Sequence, residues 1–128
     1  MPITNVIFFK DEDGRVPVKD WLREVVAKRD ARIAAKCMVA IDYLRNKGRD
    51  CRRPYSDFLR DGIYELRIRY GTTNYRILYF FAGPTQAVVA AGLIKEGEVP
   101  DKEIDVAIER KKLFESDPER YGYDEQKG

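Results

Sequence analysis

Ile63–Ile94 reads IYELRIRYGTTNYRILYFFAGPTQAVVAAGLI, and its periodicity decides the class of fold. From Ile63 to Tyr70, Tyr64, Leu66, Ile68 and Tyr70 alternate with Glu65, Arg67 and Arg69, the period of a strand with one wet face. Gly71-Thr72-Thr73-Asn74 makes a turn. Tyr75–Phe81 is apolar on both sides except at Arg76, which predicts a central strand covered on both faces. After a second turn at Gly83-Pro84-Thr85-Gln86, Val88–Ile94 forms a third strand whose small residues let another element pack closely. The charge-free run from Ile77 to Ile94 approaches a membrane-spanning length. Gly83-Pro84 interrupts it, however, and β-branched and aromatic residues fill both halves, so two strands and a turn are expected and no membrane span.

Working outward, Asn5–Phe9 is a short first strand and Asp11-Glu12-Asp13-Gly14 a turn. Pro17 suits the first turn of a helix that runs to about Lys28, with Trp21, Leu22, Val25 and Val26 at helical spacing. Asp30 is placed to cap a longer helix, whose apolar face is Ile33, Cys37, Ile41 and Leu44 with Ala34 beside it; Gly48 ends it. So short a connection predicts an antiparallel helical hairpin. Arg49–Arg60, RDCRRPYSDFLR, reads as a basic loop with interleaved aromatics. Beyond the third strand, a helix is expected from Asp101 to about Phe114, then a polar, partly frayed tail over about 116–128. The predicted fold is α+β, a helical hairpin on a small twisted, mainly antiparallel sheet with a C-terminal helix, in one domain over 1–128.

A hydrophobic fraction of 44% and a charged fraction of 36% argue against both a disordered chain and a membrane protein. The N-terminus lacks the basic-then-apolar layout of a secretory signal. The chain has two cysteines, Cys37 and Cys51, in no C-x-x-C pair, and no histidine. Zinc sites and Cys–His catalysis lose their support, so no metal or cofactor is expected, and the thiols read as reduced in a cytoplasmic protein. The net charge of +2 is unevenly laid out. Arg45–Arg76 holds nine basic and four acidic residues, and Lys95–Gly128 seven basic and eleven acidic. A basic middle suits a polyanionic partner, with the acidic tail kept away from it.

Arg76 is the only charged side chain of its strand, and its planar fork matches phosphate oxygens; equally, it could escape to solvent or pair with a carboxylate. Arg67 and Arg69 either line a phosphate groove beside it or form the wet face of a half-buried strand. Glu65, whose cationic neighbours make it a poor base, is expected to orient Arg67. Lys95, just after the third strand, faces the same groove or is an ordinary strand-end lysine. Lys47, Arg49, Arg52 and Arg53, four cations within seven residues, with Tyr55 and Phe58, suggest a patch that tracks an RNA backbone, the alternative being a solvated loop.

Leu59-Arg60-Asp61-Gly62-Ile63-Tyr64-Glu65-Leu66-Arg67 resembles the L-x-D-G-L-Y-E-L-R segment of phage-derived HigB-like toxins of the RelE/ParE superfamily. Val16–Leu22, Tyr75–Phe80, Leu93-Ile94-Lys95 and Pro100–Ile104 match the same pattern in order, so the resemblance covers about residues 5–112. It implies the toxin of a type II toxin–antitoxin pair, a ribosome-dependent mRNA endoribonuclease held inactive by a small helix-turn-helix antitoxin. It places Arg67, Arg76 and Lys95 at the catalytic positions, while Lys47, Arg49, Arg52, Arg53 and Arg69 are expected in substrate binding from their charge and placement. Two departures stand out. The family often has a histidine where Ala91 stands, and two lysines where this chain has Lys95-Glu96. They keep two other readings open: a non-catalytic ParE-like inhibitor, for example of DNA gyrase, and a degenerate phage-derived binding protein.

Overall fold

In the computed structural model, residues 3–125 are described. The elements run β1 (Asn5–Phe9), α1 (Pro17–Trp21), a π-helical turn (Leu22–Val26), α2 (Ala27–Arg29) and α3 (Ala31–Lys47). Then come β2 (Ser56–Arg60), β3 (Ile63–Tyr70), β4 (Thr73–Ala82), β5 (Gln86–Ile94), α4 (Asp101–Ser116), α5 (Pro118–Tyr121) and β6 (Gly122–Tyr123). The sheet order is β2-β3-β4-β5-β1-β6, antiparallel except where β1 lies parallel to β5. The class is the expected α+β, with the helical hairpin on one face of the sheet and α4 on the other.

Local chemistry explains the element ends. Asp11 accepts hydrogen bonds from the Asp13 and Arg15 amides, both at 2.9 Å, closing the turn after β1. Pro17 opens α1, and the Asp30 carboxylate accepts from the Arg32 amide at 2.9 Å, capping α3. Ile33, Cys37, Ile41 and Leu44 are the buried stripe of α3. They pack with Val6, Phe8, Ile77, Tyr79 and Val89 on one side of the sheet. On the other side Leu78, Phe80, Val88 and Ala90 meet Ile104, Ala107 and Phe114 of α4. Every residue of β4 from Tyr75 to Phe80 is buried, as a strand covered on both faces must be. The small residues of β5 are explained by Trp21: a Cβ on Gly92 would lie 2.3 Å from its indole ring.

Two expectations need correcting. The last part of the supposed loop, Ser56–Arg60, is a strand on the sheet edge, so the antiparallel meander has four strands rather than three. Its sequence hides it, because an edge strand needs no apolar alternation. The tail is also more ordered than expected. Tyr121 is buried against Phe9, and β6 pairs with β1, so the chain is held through Tyr123; the last part of the expected tail, 126–128, lies outside the described residues. Among the described residues no helix is long and apolar enough to cross a membrane.

Candidate functional site

Register brings the candidate arginines together. Arg67 of β3 is the cross-strand partner of Arg76 of β4, and Glu65 stands one pleat away opposite Leu78. Residues opposite one another share a face, so all three side chains emerge on the α4 side, just beyond the part of the sheet that α4 covers. Arg76 is only 6% exposed and Glu65 5%, and the Arg76 Nη1 donates to Glu65 Oε1 at 2.8 Å. Glu65 therefore fixes Arg76, not Arg67 as the sequence suggested. The Nε of Arg76 is buried with no partner. A buried donor left in that state costs about 1–3 kcal/mol.

Arg67, by contrast, is exposed and its side chain makes no ion pair or hydrogen bond among the described residues. A hollow of about 220 Å³ is lined by Arg67, Arg69 and Arg76 with Pro54 and Asn74, and no carboxylate lines it. Arg69 is oriented there by a hydrogen bond from its Nε to the Gly71 carbonyl at 3.3 Å. A larger cleft of about 640 Å³ adjoins it, sharing Arg67 and Arg76, and runs between β2 and the segment that joins β5 to α4. Its walls carry Asp57, Glu65, Glu96, Glu98 and Asp101 against Arg53, Arg60, Arg67 and Arg76, five carboxylates to four guanidinium groups. Arg60 is pinned by Asp61 at 2.9 Å and Asp105 at 2.7 Å. Glu96 accepts a hydrogen bond from the Asn74 amide at 3.2 Å, latching the β5–α4 segment to the start of β4. Lys95 is exposed at the end of β5 and is not among the side chains lining either hollow; its neighbour Glu96 takes the wall position.

The remaining candidates gather toward the opposite face, at the end of α3, with Arg53 at the sheet edge bordering both sides. There a cleft of about 360 Å³ is lined by Arg49, Arg52 and Arg53 with Ser56, Asp57, Phe58 and Tyr64. Arg49 covers the Phe81 ring at 4.4 Å and donates to the Gly83 carbonyl at 2.9 Å. Arg53 pairs with Asp57 at 2.7 Å. That hydrogen bond holds the Asp57 carboxyl below the usual carboxylate range. Lys47 lies near the Tyr43 ring, 5.9 Å away, outside the cleft lining. Phe58, expected in the patch, lines this cleft, whereas Ser56, Asp57 and Arg60 were not singled out as site residues. One signal could have found them: Asp61-Gly62 before β3, both at positive φ, is a hairpin turn and demands a strand on its other side.

Both cysteines are buried and unpaired. Burial pushes the Cys37 thiol up to about 12, which leaves it protonated and inert at neutral pH. Among the described residues no group of acidic or cysteine side chains is arranged to hold a metal ion.

The α+β sheet thus sets Arg67 and Arg76 opposite one another on adjacent strands, with the buried Glu65 bonded to Arg76. The family model described as "Phage derived protein Gp49-like (DUF891)" matches residues 20–112. The chain belongs to this phage-derived family, which is a RelE/HigB-like toxin family. A search of curated proteins finds no match.

Proposed function

We propose that this protein is the toxin of a type II toxin–antitoxin pair and that it cuts mRNA on the ribosome. The observation that carries the reading is the hollow in which Arg67, Arg69 and Arg76 converge without a carboxylate among its lining residues. A phosphodiester seated there meets one guanidinium held rigidly by Glu65 and two exposed ones. In the reaction the ribose 2′-oxygen attacks the adjacent phosphorus, the bond to the 5′-oxygen breaks, and a 2′,3′-cyclic phosphate and a 5′-hydroxyl result. The 2′-hydroxyl proton leaves to a base or solvent, and the 5′-oxygen takes one up. With no histidine in the chain, catalysis rests on fixed positive charge and in-line positioning rather than on a matched acid–base pair. Asp57 is ill suited as the base, since Arg53 depresses its proton affinity. Between toxin pulses, an antitoxin, a small helix-turn-helix protein with an acidic segment, covers the basic surface of residues 45–76.

The test is a reconstituted translation system. Wild-type protein is expected to cleave ribosome-bound mRNA, leaving 2′,3′-cyclic phosphate ends, and Arg76→Ala to abolish the cut in folded protein. A second reading has its own support: five carboxylates line the larger cleft, which suits binding to a protein better than to RNA. On that reading the same extracts leave mRNA intact, and a target such as DNA gyrase loses supercoiling activity.

A further inference from the structure

The cleft at the end of α3 differs in kind from a phosphate clamp. Arg52 is exposed and makes no side-chain bond among the described residues, and Arg49 is held by a ring and a carbonyl but by no carboxylate. Three guanidinium groups face the one carboxylate of Asp57. Between them stand two rings. Phe58 is 53% exposed on the edge strand, and its ring meets the half-buried Tyr64 edge-on, 5.1 Å between centroids. Tyr64 is itself stacked on buried Tyr79 at 5.4 Å and buttressed by Phe81, so it cannot swing away. A large ring exposed on an edge strand leaves apolar surface in water unless something covers it, and arginines around a fixed aromatic floor match a nucleobase with its flanking phosphates.

The cleft is also connected to the first site. Arg53, Asp57 and Phe58 line both it and the larger cleft on the α4 face, because β2 is the sheet edge and its side chains border both sides. A single strand can therefore pass around the β2 edge. We propose that this cleft is a nucleobase subsite for single-stranded RNA: an unpaired base stacks on the exposed ring of Phe58, which Tyr64 supports edge-on, and its phosphates lie on Arg49 and Arg52. The subsite rests on the reading of the protein as one that acts on RNA. It sets which nucleotides lie beside the scissile phosphate, because the base it holds is tethered to the strand entering the arginine hollow. A duplex, whose bases are already stacked on one another, cannot use it.

Binding of the full chain to a short fluorescein-labelled single-stranded oligoribonucleotide, followed by anisotropy, tests this directly. Phe58→Ala is expected to weaken binding about tenfold or more, as loss of one base–ring stack does, with the salt dependence unchanged. Phe58→Leu, which keeps apolar bulk without a ring, is expected to weaken it as much, and Phe58→Trp to restore it. A matching duplex is expected to bind more weakly than the single strand. If wild type binds but Phe58→Ala or Phe58→Leu binds equally well, or the duplex binds as tightly, the subsite is overturned while the arginine hollow stands. If Phe58→Ala loses binding while wild type cuts no mRNA on ribosomes, the subsite stands and the nuclease reading falls. Wild type that binds no single-stranded RNA overturns the subsite, while cleavage of ribosome-bound mRNA still decides the nuclease reading.

Discussion

The two faces of the sheet handle their arginines in opposite ways. On the α4 face Arg76 is buried and tied to Glu65, Arg60 is pinned by aspartates, and the β5–α4 segment brings Glu96 and Glu98 up to the cleft wall. At the end of α3, Arg49 rides on an aromatic ring and Arg52 has no carboxylate partner. The first arrangement fixes a guanidinium in place at the cost of neutralising much of the field around it. The second leaves charge available but positions it loosely. Fixed charge suits a reacting phosphate, whose developing negative charge must be met without reorganisation; loose charge around rigid rings suits gripping a flexible strand.

The sharpest way to break this contrast is to remove one partner from each face. Glu65→Ala strands a buried guanidinium and is expected to cost about 3–5 kcal/mol of stability in denaturant unfolding. Arg52→Ala, on an exposed side chain, is expected to stay within about 0.5 kcal/mol of wild type. Equal losses would mean that the cleft at the end of α3 is as structural as the buried pair.

Salt separates the faces next. If Arg49 and Arg52 each meet a phosphate, the double alanine variant is expected to lower the slope of log affinity against log salt by about 1.4, near 0.7 per contact on a single strand. An unchanged slope would mark these arginines as merely solvated.

The pair shared by both clefts supplies a pH test. Because Arg53 holds the Asp57 carboxyl below its ordinary value, the pair contributes its stabilisation above the usual carboxylate range and loses it as pH falls through the depressed value. Protonation there removes a negative charge from both clefts and releases Arg53. RNA binding is accordingly expected to tighten on acidification, and Asp57→Asn to bind more tightly at neutral pH and lose that dependence. Binding that weakens in acid for both proteins would contradict the shared role of this pair.

Much of the fold was legible because buried elements must obey a period. The face of α3, the doubly covered β4, the cap at Asp30, the helix start at Pro17 and the close approach over Gly92 all follow from patterns legible in the sequence. β2 was missed for the same reason in reverse: Ser56–Arg60 borders solvent, so nothing obliges it to alternate cleanly. The tail was missed because a single anchor, Tyr121 against Phe9, orders a segment that is otherwise polar. At the site, strand parity placed Glu65, Arg67 and Arg69 on one face, but the choice between Arg67 and Arg76 as the partner of Glu65 depends on cross-strand register, which a single strand's sequence does not encode. The wall position of Glu96 depends in turn on a loop path set by its bond to the Asn74 amide.

The smallest effect expected outside the two clefts is chemical. Cys37 is pushed up to about 12 by burial, so it is expected to resist alkylation in native protein at neutral pH and to react fully once the chain is unfolded. Its raised value adds stability below the ordinary thiol value of 9.0 that is lost as pH rises toward about 12, because the unfolded chain ionises first. Ready labelling of native Cys37 would show that the hairpin side of the core opens easily, and with it the support beneath Tyr64 and Tyr79.

The division of labour between the faces is tested most directly by growth arrest on induced expression, with mRNA ends mapped in the same cells. Wild type is expected to stop growth and leave cut messages. Arg67→Ala, folded but lacking the exposed guanidinium of the hollow, is expected to abolish both, and Phe58→Ala to keep cutting at reduced rate with altered preference for the neighbouring nucleotide. Growth arrest by Arg67→Ala as strong as that by wild type, or wild type that leaves messages intact, would contradict the account.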